Sequence, residues 1–186
     1  MSLDSLDKLF LEELKDVYNA EKQILRALPK MAKAAESPEL QQAFTTHQKE
    51  TEGHVQRLEQ IFKELGQTPR GKKCKGMEGL LEEGKEVLEE DGEPAVIDAA
   101  LIASAQRVEH YEMAAYGTVR TYAELLDEPK HASLLEETLQ EEKDTDQKLT
   151  KLSKKINLDA NESVQDISSK SKASGDKSQK IRRRVA

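Results

Sequence analysis

Apolar positions recur every three or four residues along most of this chain, which is the spacing of one buried helix face. Leu6, Phe10, Leu14, Val17, Ile24, Leu28 and Met31 form such a stripe across residues 4 to about 36. Pro29 falls inside it, and an interior proline usually kinks a helix because it removes a backbone bond. In ESPEL (36–40), Ser37 is placed to cap, Pro38 to open and Glu39 to sit in the first turn of a second helix. That helix keeps Leu40, Phe44, Leu58, Ile61 and Leu65 in register and stops at GQTPRGKK. A shorter helical piece at about 75–91 closes at DGEP. Pro94 opens a third long helix that reaches Leu126, DEP at 127–129 marks a second hairpin, and a fourth helix runs from about Lys130 to Leu152. No strand signal competes with this pattern.

Short loops make antiparallel neighbours, and the roughly 28-residue connection between the hairpins is long enough to return along the bundle. The predicted fold is all-α: a ferritin-like four-helix bundle whose long crossover carries a short extra helix. The bundle is expected over residues 1–156. Residues 157–186 are polar and rich in Ser and Lys, with no sustained stripe, and are expected to form a disordered, basic tail.

Composition agrees with long amphipathic helices: 35% charged residues, 4% aromatic and no tryptophan. The single cysteine, Cys74, excludes an internal disulfide and fits a reducing compartment. The start MSLDSLDKLF has neither a basic nor an apolar leader segment, and no apolar run approaches membrane-spanning length, so the expected setting is cytoplasmic, with no membrane contact. Formal charge is −7, yet from Lys154 onward nine Lys/Arg face four Asp/Glu, leaving −12 on the body. An acidic body argues against general nucleic-acid binding, while the tail allows a weak contact.

Carboxylates stand where the stripes call for leucine. Glu21 lies about 20° from the centre of the first stripe, Glu112 about 30° from the third and Glu142 about 10° from the fourth. His47 is near the centre of the second, with His54 and Thr51 about 30° away, while Glu50, Glu109 and Asp146 flank at about 50–90°. Folding at residue 37 puts Glu21 between Glu50 and His54, and folding near 128 brings Glu112 close to Asp146 and Glu142. Burying several carboxylates together is costly unless something neutralises them. No Lys or Arg shares their level, and oxygen donors with one or two imidazoles suit Fe or Mn. Two divalent transition ions would balance four carboxylates. The remaining histidines His110 and His131 read as surface residues, and Tyr18, Tyr116 and Tyr122 as core lining.

With EKQIL (21–25), HQKETEGHVQRLEQIF (47–62), CKGMEGL (74–80), QRVEHYEMAAYG (106–117) and EEKDTDQKL (141–149), the chain resembles the YciE/YciF family of ferritin-like bacterial stress proteins over roughly residues 5–155. The resemblance implies a bundle, usually a homodimer, tied to stress responses. Ferritin-like dimetal sites take one Glu from each of two helices and Glu-x-x-His from each of the others. Glu21 and Glu112 or Glu109 match the single glutamates. The second helix departs, with Glu50 and His54 four apart and His47 and Glu50 in reversed order; the fourth offers Glu142 and Asp146. The expected function is a dimetal oxidoreductase acting on oxygen or hydrogen peroxide (ferroxidase, peroxidase or catalase-like), bound through Glu21, Glu50, His54, Glu112, Glu142 and Asp146, with Glu109 and His47 as further candidates. The alternatives are a DNA-protecting mini-ferritin-like protein and a metal-free dimeric stress or interaction protein. Paired cysteines for a built-in electron relay are absent from the sequence.

Overall fold

The computed structural model describes residues 3–70 and 72–182, with side chains through residue 162. Five helices follow one another: α1 (Leu6–Ala34), α2 (Pro38–Glu64), α3 (Lys75–Glu89), α4 (Pro94–Leu125) and α5 (Pro129–Arg182). Their ends are set by local chemistry. The Ser5 hydroxyl accepts from the Lys8 amide at 3.3 Å and that of Ser37 from the Leu40 amide at 3.4 Å, so both N-termini are capped, that of α2 by the residue expected. α2 stops because Gly66 turns to φ +64°, where the Gln67 amide reaches back to the Phe62 carbonyl at 2.8 Å. Asp127 does the same for α4 at φ 57°, with the Glu128 amide on the Ala123 carbonyl. Pro29 stays inside α1 on its exposed side, so the helix continues through it.

α1 pairs with α2 and α4 with α5, each pair antiparallel across a short turn. The order of the four is fixed by contacts at the two ends. At one end Asp98 of α4, itself buried, accepts hydrogen bonds from the Glu36 and Ser37 amides of the α1–α2 turn at 2.9 and 2.7 Å. At the other end Lys130 of α5 reaches Glu64 of α2 at 2.6 Å. The connection between α2 and α4 therefore runs the length of the bundle, and α3 within it packs on α1 and α4. α1 lies beside α4 and α2 beside α5, both antiparallel.

The core divides into two apolar clusters. One, around Phe10, Leu14, Phe62 and Leu135, fills the end near the α4–α5 turn. The other, around Leu28, Phe44, Leu101 and Leu149, fills the end near the α1–α2 turn and extends under Met77 of α3. Between them lies a polar level.

Two readings of the sequence need correction. His131 is buried, not on the surface; it sits 3.2 Å from Glu64 and 3.4 Å from Glu128. The fourth bundle helix does not stop near Leu152: Ile156 keeps the stripe and is buried, and the backbone stays helical through Arg182. Extending a formed helix avoids the cost of nucleation, and no proline intervenes. Among the residues whose side chains are described, Ile156 is the last buried one, with Asn157, Leu158 and Asp159 exposed. The basic side chains through which the tail would touch nucleic acid lie, for the most part, outside the described residues. Among the described residues no helix is long and apolar enough to cross a membrane.

Candidate metal centre

The polar level is assembled from all four bundle helices. Glu21 comes from α1, His47 and His54 from α2, Glu109 and Glu112 from α4, and Glu142 from α5, and all six are buried. His47 and His54 are seven residues apart, two helical turns, so both imidazoles leave one face of α2. Glu109 and Glu112, three apart, share a face of α4 in the same way.

Two sets of ligand atoms result. His47, Glu109, Glu112 and Glu142 bring one atom each within 4.8 Å of one another, and so do Glu21, His54 and Glu142. Glu142 belongs to both. His54 Nδ1 stands 3.0 Å from Glu142 Oε1 and 3.3 Å from Glu21 Oε1, and His47 Nε2 stands 3.3 Å from Glu109 Oε1. These contacts are close without being aligned hydrogen bonds. Both oxygens of Glu112 and of Glu142, Oε2 of Glu21 and of Glu109, both nitrogens of His47 and Nδ1 of His54 are buried without a hydrogen-bond partner. Buried polar atoms are nearly always paired, so this many orphans at one level mark a site rather than a packing defect.

A supporting layer orients the donors. His54 Nε2 bonds Glu141 Oε2 at 2.9 Å, and Arg57 grips both oxygens of Glu141 at 2.7 and 2.9 Å. With Nε2 donating to Glu141, the ring on a bound metal would turn its Nδ1 lone pair toward Glu21 and Glu142, the carboxylate–histidine arrangement common behind metal-bound imidazoles. Tyr116, fully buried, donates its hydroxyl to Glu21 Oε1. Sequence reading missed Arg57 and Glu141; their signal was Arg57 three residues after His54 and Glu141 adjoining Glu142.

The electrostatics match a cluster short of positive charge. Burial opposes a proton on His47, but the charge of Glu109, then Glu50 and Glu142, outweighs it and pushes His47 up to about 9. The same contest, decided by Glu21, Glu141 and Glu142, pushes His54 up to about 12. Burial, then the neighbouring carboxylates, pushes Glu109 and Glu112 well above the usual carboxylate range. Burial would raise Glu142 too, yet the two imidazoles hold it below that range.

Of the eight residues expected to bind, six converge and two do not. Glu50 turns to the rim, where Lys148 lies at 3.3 Å and Thr145 donates at 3.4 Å. Asp146 accepts from Gln106 at 2.9 Å and lies 3.5 Å from exposed His110. The partners of Asp146 lie away from the centre, while Glu50 stays at its rim, 3.8 Å from His47 Nδ1. His110 is on the surface as expected.

A bundle with this crossover and an acidic, histidine-bearing level at mid-height is a ferritin-like protein. The chain belongs to the family described as domain of unknown function DUF892, whose model matches residues 5–161. It is 49% identical over 153 residues to protein YciF of Escherichia coli (strain K12), covering 82% of this chain and 92% of that protein. The crystal structure of the E. coli stress protein YciF superposes with a TM-score of 0.80 at 48% identity, over 83% of this chain and 98% of that one. YcfI from Rhodopseudomonas palustris gives a TM-score of 0.77 at 43% identity, over 81% and 97%. Ferritin-like, diiron-carboxylate proteins from Bacillus anthracis give 0.63 at 18% identity, over 82% and 99%, a likeness of fold alone.

Proposed function

We propose that this chain is a stress-associated ferritin-like protein whose bundle holds two divalent transition ions, Fe or Mn, and reacts with oxygen or a peroxide. The observation that carries the reading is Glu142, shared between two buried donor sets. The donors fit such ions: four carboxylates and two imidazoles, hard oxygen with borderline nitrogen, and no ammonium or guanidinium among them. Two doubly charged ions would neutralise the four carboxylates and satisfy the orphaned atoms. The E. coli relative's description as a stress protein supports the physiological setting.

When bound, bridged ions of this kind supply Lewis acidity and electrons to an oxygen-bearing substrate. The residues of the chain hold and tune that chemistry. Glu21, His54 and Glu142 would hold one ion, and His47, Glu109, Glu112 and Glu142 would hold the other. Arg57 and Glu141 fix the ring of His54. Tyr116 keeps a proton beside Glu21, since burial and the charges of Glu21 and Glu112 push its phenol well above its ordinary value. The apolar cluster toward the α4–α5 turn closes the level on that side. All donors belong to one bundle, which favours this reading over a mini-ferritin with ligands at a subunit interface. A homodimer, drawn from the family resemblance, is part of the proposal.

Elemental analysis after aerobic Fe(II) or Mn(II) loading, run together with peroxide-dependent turnover, tests it. The expected result is about two ions per chain and turnover that chelation removes. A well-folded protein that takes up neither metal rejects it.

A further inference from the structure

In the half of the bundle nearer the α1–α2 turn, Ala27, Ala43 and Ala105 from three helices line a cavity of about 440 Å³. Its walls are apolar, with Leu28 from α1, Phe44 from α2, Val108 from α4 and Leu149 from α5. Its lining also includes His47 and Glu109, which belong to the candidate centre. Both nitrogens of His47, which is 3% exposed, and Oε2 of Glu109 have no hydrogen-bond partner, His47 standing 3.3 Å from Glu109 Oε1 and 3.8 Å from Glu50 Oε2. On the solvent side lies the Glu50–Lys148 pair, joining α2 to α5.

Size and lining decide what fits. The volume lies within the roughly 300–1,000 Å³ of small-molecule sites. Oxygen or hydrogen peroxide needs room nearer to that of one water, about 30 Å³, far less than this cavity, whose lining mixes apolar residues with polar ones such as Thr46, Thr145 and Lys148. The polar groups that do lack partners sit together, at the candidate centre.

The geometry points to an organic molecule with an alkyl or aryl body and one oxygen-bearing head as the substrate class of this centre. The body lies against Leu28, Phe44, Val108 and Leu149, and the head turns toward His47 and Glu109. The term substrate rests on the dimetal reading; the binding itself does not. The placement also gives Glu50 a position at the entrance instead of among the ligands.

Calorimetry on the full-length, metal-free protein tests the cavity, with decanoic acid and acetic acid as probes. Decanoate should bind once per chain and at least about 100-fold tighter than acetate, because each buried methylene contributes. Ala43→Phe and Ala105→Leu, each checked by circular dichroism, should weaken decanoate at least about 10-fold while Mn(II) uptake stays at the wild-type level. In Mn(II)-loaded protein the C2 protons of decanoate should broaden more than its terminal methyl. Absence of saturable decanoate binding, equal affinity for the two acids, undiminished binding in a folded filling variant, or the reverse order of broadening each overturns the proposal. Mn(II) uptake without decanoate binding rejects this inference alone. Decanoate binding without metal uptake rejects the dimetal reading and leaves an organic-ligand cavity.

Discussion

Glu112 occupies a position that packing alone would give to leucine. It is 2% exposed, and neither of its oxygens has a hydrogen-bond partner. Glu112→Leu should abolish metal uptake while raising the stability of the metal-free bundle by about 1–3 kcal/mol, since a buried acid without a partner is replaced by packing of similar volume. Thermal melts of the two metal-free proteins decide this, and a variant that melts well below wild type would make Glu112 structural. The histidines give a pH signature. His47 and His54, lifted from an ordinary 6.5 to about 9 and about 12, bind protons more tightly folded than unfolded. Their stabilisation is complete below pH 6.5 and is lost as pH rises toward the folded values; Glu109 and Glu112, also raised, act with the same sign from 4.5 upward. Glu50 and Glu141, held at about 2, are ionised in both states near neutrality and add no slope there. Melts of the metal-free protein should therefore fall between pH 7 and 9, by about 1 kcal/mol per pH unit for each histidine. Metal-loaded protein should not show that fall, because the ions displace those protons. Glu21, Glu112 and Glu142 were legible in the sequence because each lies within about 30° of its stripe centre. Flanking positions were not. Glu109 and Glu50 both lie about 70–90° off, and what separates them is a neighbour on another helix: Lys148 draws Glu50 to the rim at 3.3 Å, leaving it 3.8 Å from His47, while buried Glu109 stands 3.3 Å from His47.

At the scale of elements, the crossover decides whether the two hairpins bring their acidic levels together. Length and punctuation revealed the helices and their turns, because ESPEL and DEP carry capping chemistry in their own residues. The contacts that lock one hairpin to the other were hidden, since they join residues about sixty positions apart. Asp98 is the clearest case. On the sequence it is one more acidic residue early in a helix, yet it is buried and accepts from the two amides of the α1–α2 turn. Asp98→Ala should strand both donors and cost about 2–4 kcal/mol, read as a lower denaturant midpoint with an unchanged slope. A loss below about 0.5 kcal/mol would mean that the turn is held by its packing alone. His131 misled for the same reason, because the α2 residue that covers it, Glu64, is 67 positions away. Helix α5 erred in the other direction: the apolar stripe fades after Ile156, the last buried side chain among the described residues, while the backbone stays helical through Arg182.

Across the whole molecule, two apolar clusters enclose a polar level of six donors, and the bundle topology is what sets those donors at one height. Charge follows the same division, with an acidic body around the level and a basic segment beyond it. The central claim is that the level holds a pair of ions sharing Glu142. An anomalous difference map from crystals grown with Mn(II) tests it most directly. Two peaks per chain are expected, one among His47, Glu109, Glu112 and Glu142 and the other among Glu21, His54 and Glu142. Peaks confined to the surface, at Glu50 or Asp146, or a bundle interior without anomalous density in a fully occupied crystal, would contradict it.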